Sequence, residues 1–177
     1  MDAIQLVIPS EEYLDQVWAY RQECFDADSS MDGCGPLRNT EDPVEWLADV
    51  RAYTDPATLP EGKVLATQFL TVRESDGTLV GMIQVRHYFN EYLEQFGGNI
   101  GYSVRPSERR KGYAKEQLRL VLPYCKETLG LDRVLITCNI SNEGSRRTIL
   151  SAGGVYENTV HEPDRNVDLE RYWITIH

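Results

Sequence analysis

Hydrophobic positions recur along the chain with two periods, and each period predicts one kind of secondary structure. Alternating apolar and polar residues, or short apolar runs bounded by turns such as Ser75-Asp76-Gly77-Thr78, predict β-strands. Strands are predicted in this way at residues 4–8, 64–73, 79–88, 99–104, 134–138, 155–161 and 171–176. None of these stretches approaches the roughly 20 apolar residues of a membrane-spanning helix, so no membrane association is expected.

Apolar residues spaced three or four apart predict helices between the strands. The first helix, after residue 10, carries its apolar face on residues such as Val17 and Tyr20. Pro123 lies inside the third helix and is expected to kink or shorten it. The segment 90–96 is ambiguous and is expected to form a short helical turn. Further helices are predicted over residues 40–53, 108–128 and 142–151.

The order of these elements predicts the fold class. Strands and helices are mixed along the chain without a linker, repeat or low-complexity tract. Such mixing favours one α/β domain over residues 1–177, with about seven strands in one sheet and about four helices around it.

Composition limits the function classes. The 177 residues include 28 acidic and 18 basic side chains, for a net charge of −10. A surface of this charge repels phosphate backbones, so no nucleic-acid partner is expected. It suits a cationic amine substrate, and it equally suits mere solubility. No basic and apolar leader is visible before Ile4, which favours the cytoplasm. No metal is expected, since metal-type spacing is absent among Cys24, Cys34, Cys125 and Cys138.

The strongest chemical signal is a basic loop between a predicted strand and a predicted helix. The loop runs Arg109-Arg110-Lys111-Gly112-Tyr113-Ala114 and follows the strand at 99–104. Helix N-termini have unpaired N–H groups and bind phosphates, and Gly112 admits a ligand close to the backbone. The pattern predicts an anion site of the phosphate kind. The alternative is a basic helix start that is simply exposed to water.

Arg109-x-x-Gly112-x-Ala114 resembles the pyrophosphate loop Q/R-x-x-G-x-G/A of the GNAT superfamily, the acyl-CoA-dependent N-acyltransferases. Downstream, Asn142-Glu143-Gly144-Ser145 resembles a helix start of that family, and Gly153-Gly154-Val155-Tyr156 resembles the turn before its sixth strand. The element order matches the family over roughly residues 4–176. The resemblance implies a mixed, mostly antiparallel sheet in which strand 99–104 splays from strand 134–138.

The resemblance also implies acetyl-CoA as cosubstrate. Its pyrophosphate would lie on the basic loop, and its pantetheine arm would lie between the splayed strands near Val104. Asn142 would hydrogen-bond that arm with Ser145 nearby, although a plain helix N-cap is the alternative for Asn142. The implied cofactor-binding residues are Val104, Arg109, Arg110, Lys111, Gly112, Tyr113, Ala114, Asn142 and Ser145.

The activity that the resemblance implies is direct transfer of an acetyl group to an amine of a small molecule or peptide. Many family members use a Tyr seven residues after the Asn as general acid, and Ile149 occupies that place here. The remaining candidates are His87 as base, Glu91 as base through water, and Tyr102 as proton donor. Each could instead be structural: a surface or core histidine, a solvated carboxylate, and a core tyrosine.

Ile149 leaves a second function open, a non-catalytic acyl-CoA-binding module or sensor on the same fold. The acceptor pocket is expected from residues 22–39 and 90–96, and a homodimer is compatible with the pattern. The acidic residues of these segments would suit a cationic amine, and they are Asp26, Asp28, Asp32, Glu91 and Glu94.

Overall fold

The computed structural model describes residues 1–177 and contains two antiparallel sheets. Strands of the first sheet lie in the order β1-β2-β3-β4, and strands of the second lie in the order β5-β7-β6. Their bounds are β1 Ile4–Val7, β2 Ala66–Arg73, β3 Leu79–Arg86, β4 Ile100–Val104, β5 Arg133–Asn139, β6 Val155–Glu162 and β7 Val167–Thr175.

Four main helices pack against the two sheets. The helices are α1 Leu14–Asp26, α2 Pro43–Ala52, α3 Tyr113–Glu127 and α4 Glu143–Ser151. One apolar cluster joins α1 and α2 to one face through residues such as Trp46, and another joins α3 and α4 to the opposite face through residues such as Leu118 and Ile149. No helix has both the length and the apolar character needed to cross a membrane.

The prediction of seven strands, four principal helices and a splayed pair is confirmed, but the sheet is divided. β4 and β5 meet at one point, where the Asn99 N–H donates to the Leu135 carbonyl and the Leu135 N–H donates to the Asn99 side chain, each at 2.8 Å. Gly98 is required here, because its φ is +67° and a Cβ would lie 2.5 Å from the Leu135 carbonyl oxygen. Beyond this point β4 pairs with β3 and β5 pairs with β7, so a gap opens between β4 and β5.

The expected start of the third helix is wrong, and one of the two effects expected of Pro123 is absent. The helix begins at Tyr113, not near residue 108, because Arg110 (φ 62°) and Gly112 (φ 88°) adopt left-handed conformations that a helix excludes. Pro123 does not shorten it, since α3 continues to Glu127 and the proline lies exposed. A proline removes one backbone hydrogen bond, which the apolar face of α3, including Val121, compensates by packing into the core.

The loop between α1 and α2 is fastened to the first sheet. The Gln68 side-chain amide donates to the Gly33 carbonyl at 2.6 Å, and the Trp46 indole N–H donates to the Cys34 carbonyl at 2.8 Å. Gly33 has a φ of +73°, and a Cβ there would lie 2.4 Å from the Gly101 carbonyl oxygen. Only glycine lets the loop approach β4 this closely, and the loop therefore forms a fixed wall beside β4.

Candidate active site

A cavity of about 1340 Å³ extends from the start of α3, past the gap between β4 and β5, to the loop between α1 and α2. One end is lined by residues 108–110 and 112–115, and the other is lined by most of residues 29–39 together with parts of β3 and of the segment 90–97. Residues of both splayed strands line the middle. The gap therefore connects two sites of different composition, which are named here the loop end and the acceptor end.

The loop end presents a row of free backbone donors. The N–H groups of residues 110–115 make no hydrogen bond within the chain. The next N–H, that of Glu116, donates to the Gly112 carbonyl. Successive N–H groups in left-handed and helical conformations form an anion-binding concavity. Tyr113 contributes only its N–H, because its ring is buried in the core.

The three loop cations are not equivalent. The Arg109 guanidinium donates to the Val104 carbonyl at 3.0 Å and to the Ser29 hydroxyl at 2.6 Å, so it ties the loop end to the acceptor end. Lys111 forms an ion pair with Glu108 at 2.8 Å. Arg110 makes no such contact, and its exposed side chain lines the cavity.

The Glu108 carboxylate fixes the position of the loop through ion pairs with Arg73 and Lys111. Burial raises the pKa of this carboxyl group, but hydrogen bonds from Lys111 and from Arg73 lower it by a larger amount. The net pKa of Glu108 therefore lies below its usual range. The ionised carboxylate joins β2, which carries Arg73, to the loop.

The edge of β4 that faces the gap has unused backbone groups. The Arg105 N–H donates to the Val80 carbonyl and the Arg86 N–H donates to the Asn99 carbonyl, so the odd-numbered residues of β4 point their backbone groups at β3. Antiparallel ladders alternate, so the backbone groups of Tyr102 and Val104 point into the gap. The Val104 carbonyl accepts from Arg109, and the Val104 N–H and both groups of Tyr102 remain free. An extended ligand could pair with them as an added strand.

Residues of α4 face the gap from the other side. Asn142 caps this helix through Oδ1, which accepts the Ser145 N–H at 3.0 Å, while the Asn142 side-chain nitrogen has no partner in the chain. One side chain can thus cap the helix and still offer a donor to a ligand. Ile149, in contrast, is fully buried in the core and does not line the cavity.

Tyr102 is the one predicted catalytic residue that lines the cavity. Its hydroxyl lies 2.9 Å from the Ser145 hydroxyl, across the gap. Burial raises the pKa of Tyr102 to about 12, the Ser145 hydrogen bond opposes this, and the Cys138 thiol and the Asp32 carboxylate act in the raising direction. A phenol with this pKa keeps its proton at neutral pH and can donate it.

His87 and Glu91 lie outside the lining of the cavity. The His87 Nε2 atom is 2.8 Å from the Thr67 hydroxyl, which lies 2.7 Å from the hydroxyl of Tyr124 on α3. This places His87 on the α3 face of the sheet, where burial lowers the pKa of its imidazole. Glu91 is exposed at the surface.

The charge of the cavity is opposite in sign to that of the chain. Although the net charge is −10, the lining holds more basic than acidic side chains. Of the five acidic residues that were expected to attract a cation, Asp32 alone lines the cavity. The acidic lining residues are Asp32 and Glu108, and the basic ones are Arg38, Lys63, Arg86, Arg109, Arg110, Lys115 and Arg165.

Sequence patterns did not single out Arg86 or Lys115 for these positions, and they named Asp32 only as one of five acidic residues of the expected acceptor pocket. A signal existed for Arg86, because Gln84 and Arg86 occupy the same face of β3 as the buried Met82, and polar residues on a buried face are informative. Lys115 lies in the first turn of α3 as observed, but in the third turn of the helix predicted from residue 108, so its position had no signal. Nothing local distinguished Asp32 from the other acidic residues of its irregular loop, which is rich in aspartate and serine.

A splayed strand pair beside a strand–loop–helix anion site is the architecture of the acyl-CoA-dependent acetyltransferases, and this chain has the fold of that class. The chain belongs to the GNAT acetyltransferase family, whose sequence pattern, described as an acetyltransferase (GNAT) domain, matches residues 7–155.

Individual relatives agree with the family assignment. The chain is 30% identical over 88 residues to a Bacillus subtilis (strain 168) protein named uncharacterized N-acetyltransferase YnaD; the match covers 50% of this chain and spans about half, 49%, of that relative. The ribosomal-protein-S5-alanine acetyltransferase from Vibrio fischeri has the same fold, with a TM-score of 0.75, 12% identity and coverage of 99% and 94% of the two chains. RimL, a ribosomal L7/L12 alpha-N-protein acetyltransferase solved in complex with coenzyme A, superposes with a TM-score of 0.74, 13% identity and coverage of 98% and 94%.

Proposed function

We propose that this acetyltransferase binds acetyl-CoA along the loop end and the gap, and that it transfers the acetyl group directly to an amine held at the acceptor end. The observation that carries the proposal is the row of unpaired N–H groups at residues 110–115, which leads straight into the gap between β4 and β5. Neighbours of the same fold acetylate ribosomal proteins or spermidine by their names, so an amine acceptor is the common feature.

The residues present fit the cosubstrate. The free N–H groups, with Gly112 at their centre and the unpaired side chains of Arg110 and Lys115 beside them, suit a pyrophosphate. The gap-facing N–H of Val104 and the free amide nitrogen of Asn142 suit the amides of pantetheine. Arg109 and Lys111 support the loop through Val104 and Glu108, Tyr113 and Ala114 supply backbone N–H groups, and Ser145 positions the Tyr102 hydroxyl.

Acetyl-CoA supplies a thioester whose carbonyl carbon forms the new C–N bond while the C–S bond breaks and its electron pair leaves on sulfur. The amine must attack in its neutral form, so its proton needs an acceptor. Asp32 is the carboxylate of the lining that no cation engages, because Glu108 is held by Arg73 and Lys111. Asp32 takes this proton, directly or through water, and the Tyr102 hydroxyl donates a proton to the leaving sulfur.

Direct transfer is favoured over an acetylated cysteine. Cys138 is the cysteine that lines the cavity, and burial, with the Glu170 carboxylate in second place, raises the pKa of its thiol to about 11. The thiolate is the nucleophilic form, and little of it exists at neutral pH with such a pKa. A covalently acetylated protein in intact mass spectra after incubation with acetyl-CoA alone would contradict direct transfer.

The test combines binding and turnover. Isothermal titration with acetyl-CoA should show binding, and release of free coenzyme A thiol should be measured with a panel of amines. Asp32→Asn should lower kcat/KM about 100-fold with the dissociation constant for acetyl-CoA unchanged, which is the usual size of a lost general base. Asp26→Asn is the matched control, because Asp26 is exposed and lies outside the lining. Absence of acetyl-CoA binding at millimolar concentration would reject the proposal.

A further inference from the structure

Arg86 is a cation without a counter-ion inside the acceptor end. It is the last residue of β3, it is partly buried, and its side chain lines the cavity. The guanidinium lies against β4, where an ideal Cβ on Gly101 would be 3.2 Å from Nη1 and 3.3 Å from Nη2. Its one hydrogen bond is a long contact of 3.4 Å to the Gly97 carbonyl, so most of its donors remain available.

The other partly or fully buried arginines of the chain have their charge or their donors satisfied. Arg21 donates to two carbonyl groups and stacks on the rings of Trp18 and Phe25. The remaining four each form an ion pair with a glutamate: Arg73 with Glu108, Arg105 with Glu23, Arg146 with Glu170 and Arg171 with Glu157. Of these six arginines, Arg86 is therefore the one whose charge and donors are not satisfied within the chain.

An unpaired guanidinium in this position is unfavourable unless a ligand satisfies it. Burial lowers the pKa of Arg86, and the nearby Asp32 carboxylate only partly offsets this effect. Removing a charge from water without a partner costs free energy that an anion in the cavity would recover. A guanidinium presents a planar pair of N–H donors that matches a carboxylate in a bidentate arrangement.

We propose that Arg86 binds a carboxylate of the acetyl acceptor, so that the acceptor is a small amino acid type of molecule. This inference rests on the proposed function and specifies its substrate class. A carboxylate is favoured over a phosphate because one guanidinium matches a single negative charge. The other cations of the acceptor end are exposed, and Arg165 is already paired with Glu162 at 2.6 Å.

The position of Arg86 also limits the size of the acceptor. Asp32, the proposed proton acceptor, lies close enough to Arg86 and to Tyr102 for its charge to act on both. An acceptor whose carboxylate lies on Arg86 and whose amine lies beside Asp32 has only a few bonds between the two groups, as α- and β-amino acids do. Polyamines lack the carboxylate, and the N-terminus of a protein carries none so near its amine.

The experiment compares amino acids with their own amides. Release of coenzyme A thiol should be measured for the proteinogenic L-amino acids and β-alanine, each beside its amide, and for O-phosphoethanolamine. The best amino acid should exceed its amide in kcat/KM by roughly 30-fold or more, the range of a truncated buried charge pair. Arg86→Gln should abolish this preference, Arg86→Lys should retain part of it, and Arg133→Gln should leave it intact, because Arg133 is exposed and outside the lining.

A second readout does not depend on turnover. Propionate, which has a carboxylate and no amine, should raise the melting temperature of the parent and of Arg133→Gln but not that of Arg86→Gln. Equal rates for amino acids and amides, a preference that survives in Arg86→Gln, or a preference for O-phosphoethanolamine would each overturn the inference. Failure of the proposed function is distinct, since it appears as no acetyl-CoA binding or no thiol release with any amine.

Discussion

The two ends of the cavity are built by different means. The loop end consists of consecutive backbone N–H groups over residues 110–115, whereas the acceptor end consists of side chains from separate segments, with Arg86 on β3, Asp32 in the α1–α2 loop and Arg165 in the β6–β7 turn. Backbone donors exist whatever the side chains are, so one local conformation suffices to place them. Side chains from distant segments come together only when the whole chain folds.

The difference suggests a division of labour. A backbone site suits a ligand that is the same for every member of a family, because it tolerates sequence change around one essential conformation. A side-chain site suits a ligand that varies, since each substitution alters its charge and shape. Each prediction below would break or sharpen this contrast, and they run from the largest expected effect to the smallest.

Gly112→Glu should abolish binding at the loop end. The new side chain requires a left-handed conformation at φ 88°, and its carboxylate would occupy the place of the phosphates. Loss of about two charge-assisted hydrogen bonds, about 4 kcal/mol, corresponds to a dissociation constant for acetyl-CoA raised about 1000-fold. Titration calorimetry measures this directly.

The control for that variant is Gly130→Glu. Gly130 also has a positive φ, +69°, with no atom near its ideal Cβ, and it lies beyond the far end of α3. Gly130→Glu therefore introduces the same kind of backbone strain and the same added charge, but at a position away from the proposed phosphate site. Binding within threefold of the parent in Gly112→Glu, or an equal loss in Gly130→Glu, would show that the loop is not the phosphate site.

Tyr102→Phe tests the junction between the two ends. Removing the hydroxyl should lower kcat about 100-fold, as expected for a lost proton donor, while acetyl-CoA binds as before. Because the pKa of Tyr102 is about 12, the parent should show no loss of activity from its ionisation up to about pH 10. Tyr124→Phe is the control, since its hydroxyl contacts Thr67 on the α3 face outside the cavity. Equal effects on both variants would remove Tyr102 from the chemistry.

The two ends of the cavity also differ in how far they could be predicted from the sequence. The element order and the loop Arg109–Ala114 were visible, because periodicity and a short motif are local properties. The conformation of Arg110, which delays α3 to Tyr113, was not visible, since nothing local distinguishes it from a first helical turn. Arg86 and Asp32 meet through pairing of β3 with β4 and the close approach of Gly33, which are contacts between segments far apart in sequence.

The cations of the loop end should differ from one another in a graded way. Arg110→Gln and Lys115→Gln should each weaken acetyl-CoA binding about fivefold, the size of an exposed charge contact of about 1 kcal/mol, and the loss should shrink at high salt. Lys111→Gln should weaken it less, because its ammonium is already paired with Glu108. A larger loss for Lys111→Gln than for Arg110→Gln would mean that the ion pair opens to receive the ligand.

His87→Gln should have the smallest effect on activity, within threefold, and should act on stability instead. Burial lowers the pKa of His87 in the folded protein below its unfolded value. The unfolded state therefore binds the proton more tightly, so this contribution to stability is present above about pH 6.5 and is lost as the pH falls through that range.

Melting temperatures of the parent should therefore fall from pH 7.5 to pH 5.5 by more than those of His87→Gln, since glutamine has no proton to bind. At pH 7.5 the free energy of unfolding of the variant should be lower by about 1 kcal/mol, because the hydrogen bond between His87 and Thr67 is lost. If turnover instead fell by roughly two orders of magnitude with unchanged melting, His87 would be catalytic, and the chemistry would have to reach the α3 face of the sheet. A histidine that sets stability and not rate would confine the chemistry to the cavity, between a backbone site for the cosubstrate and a side-chain site for the acceptor.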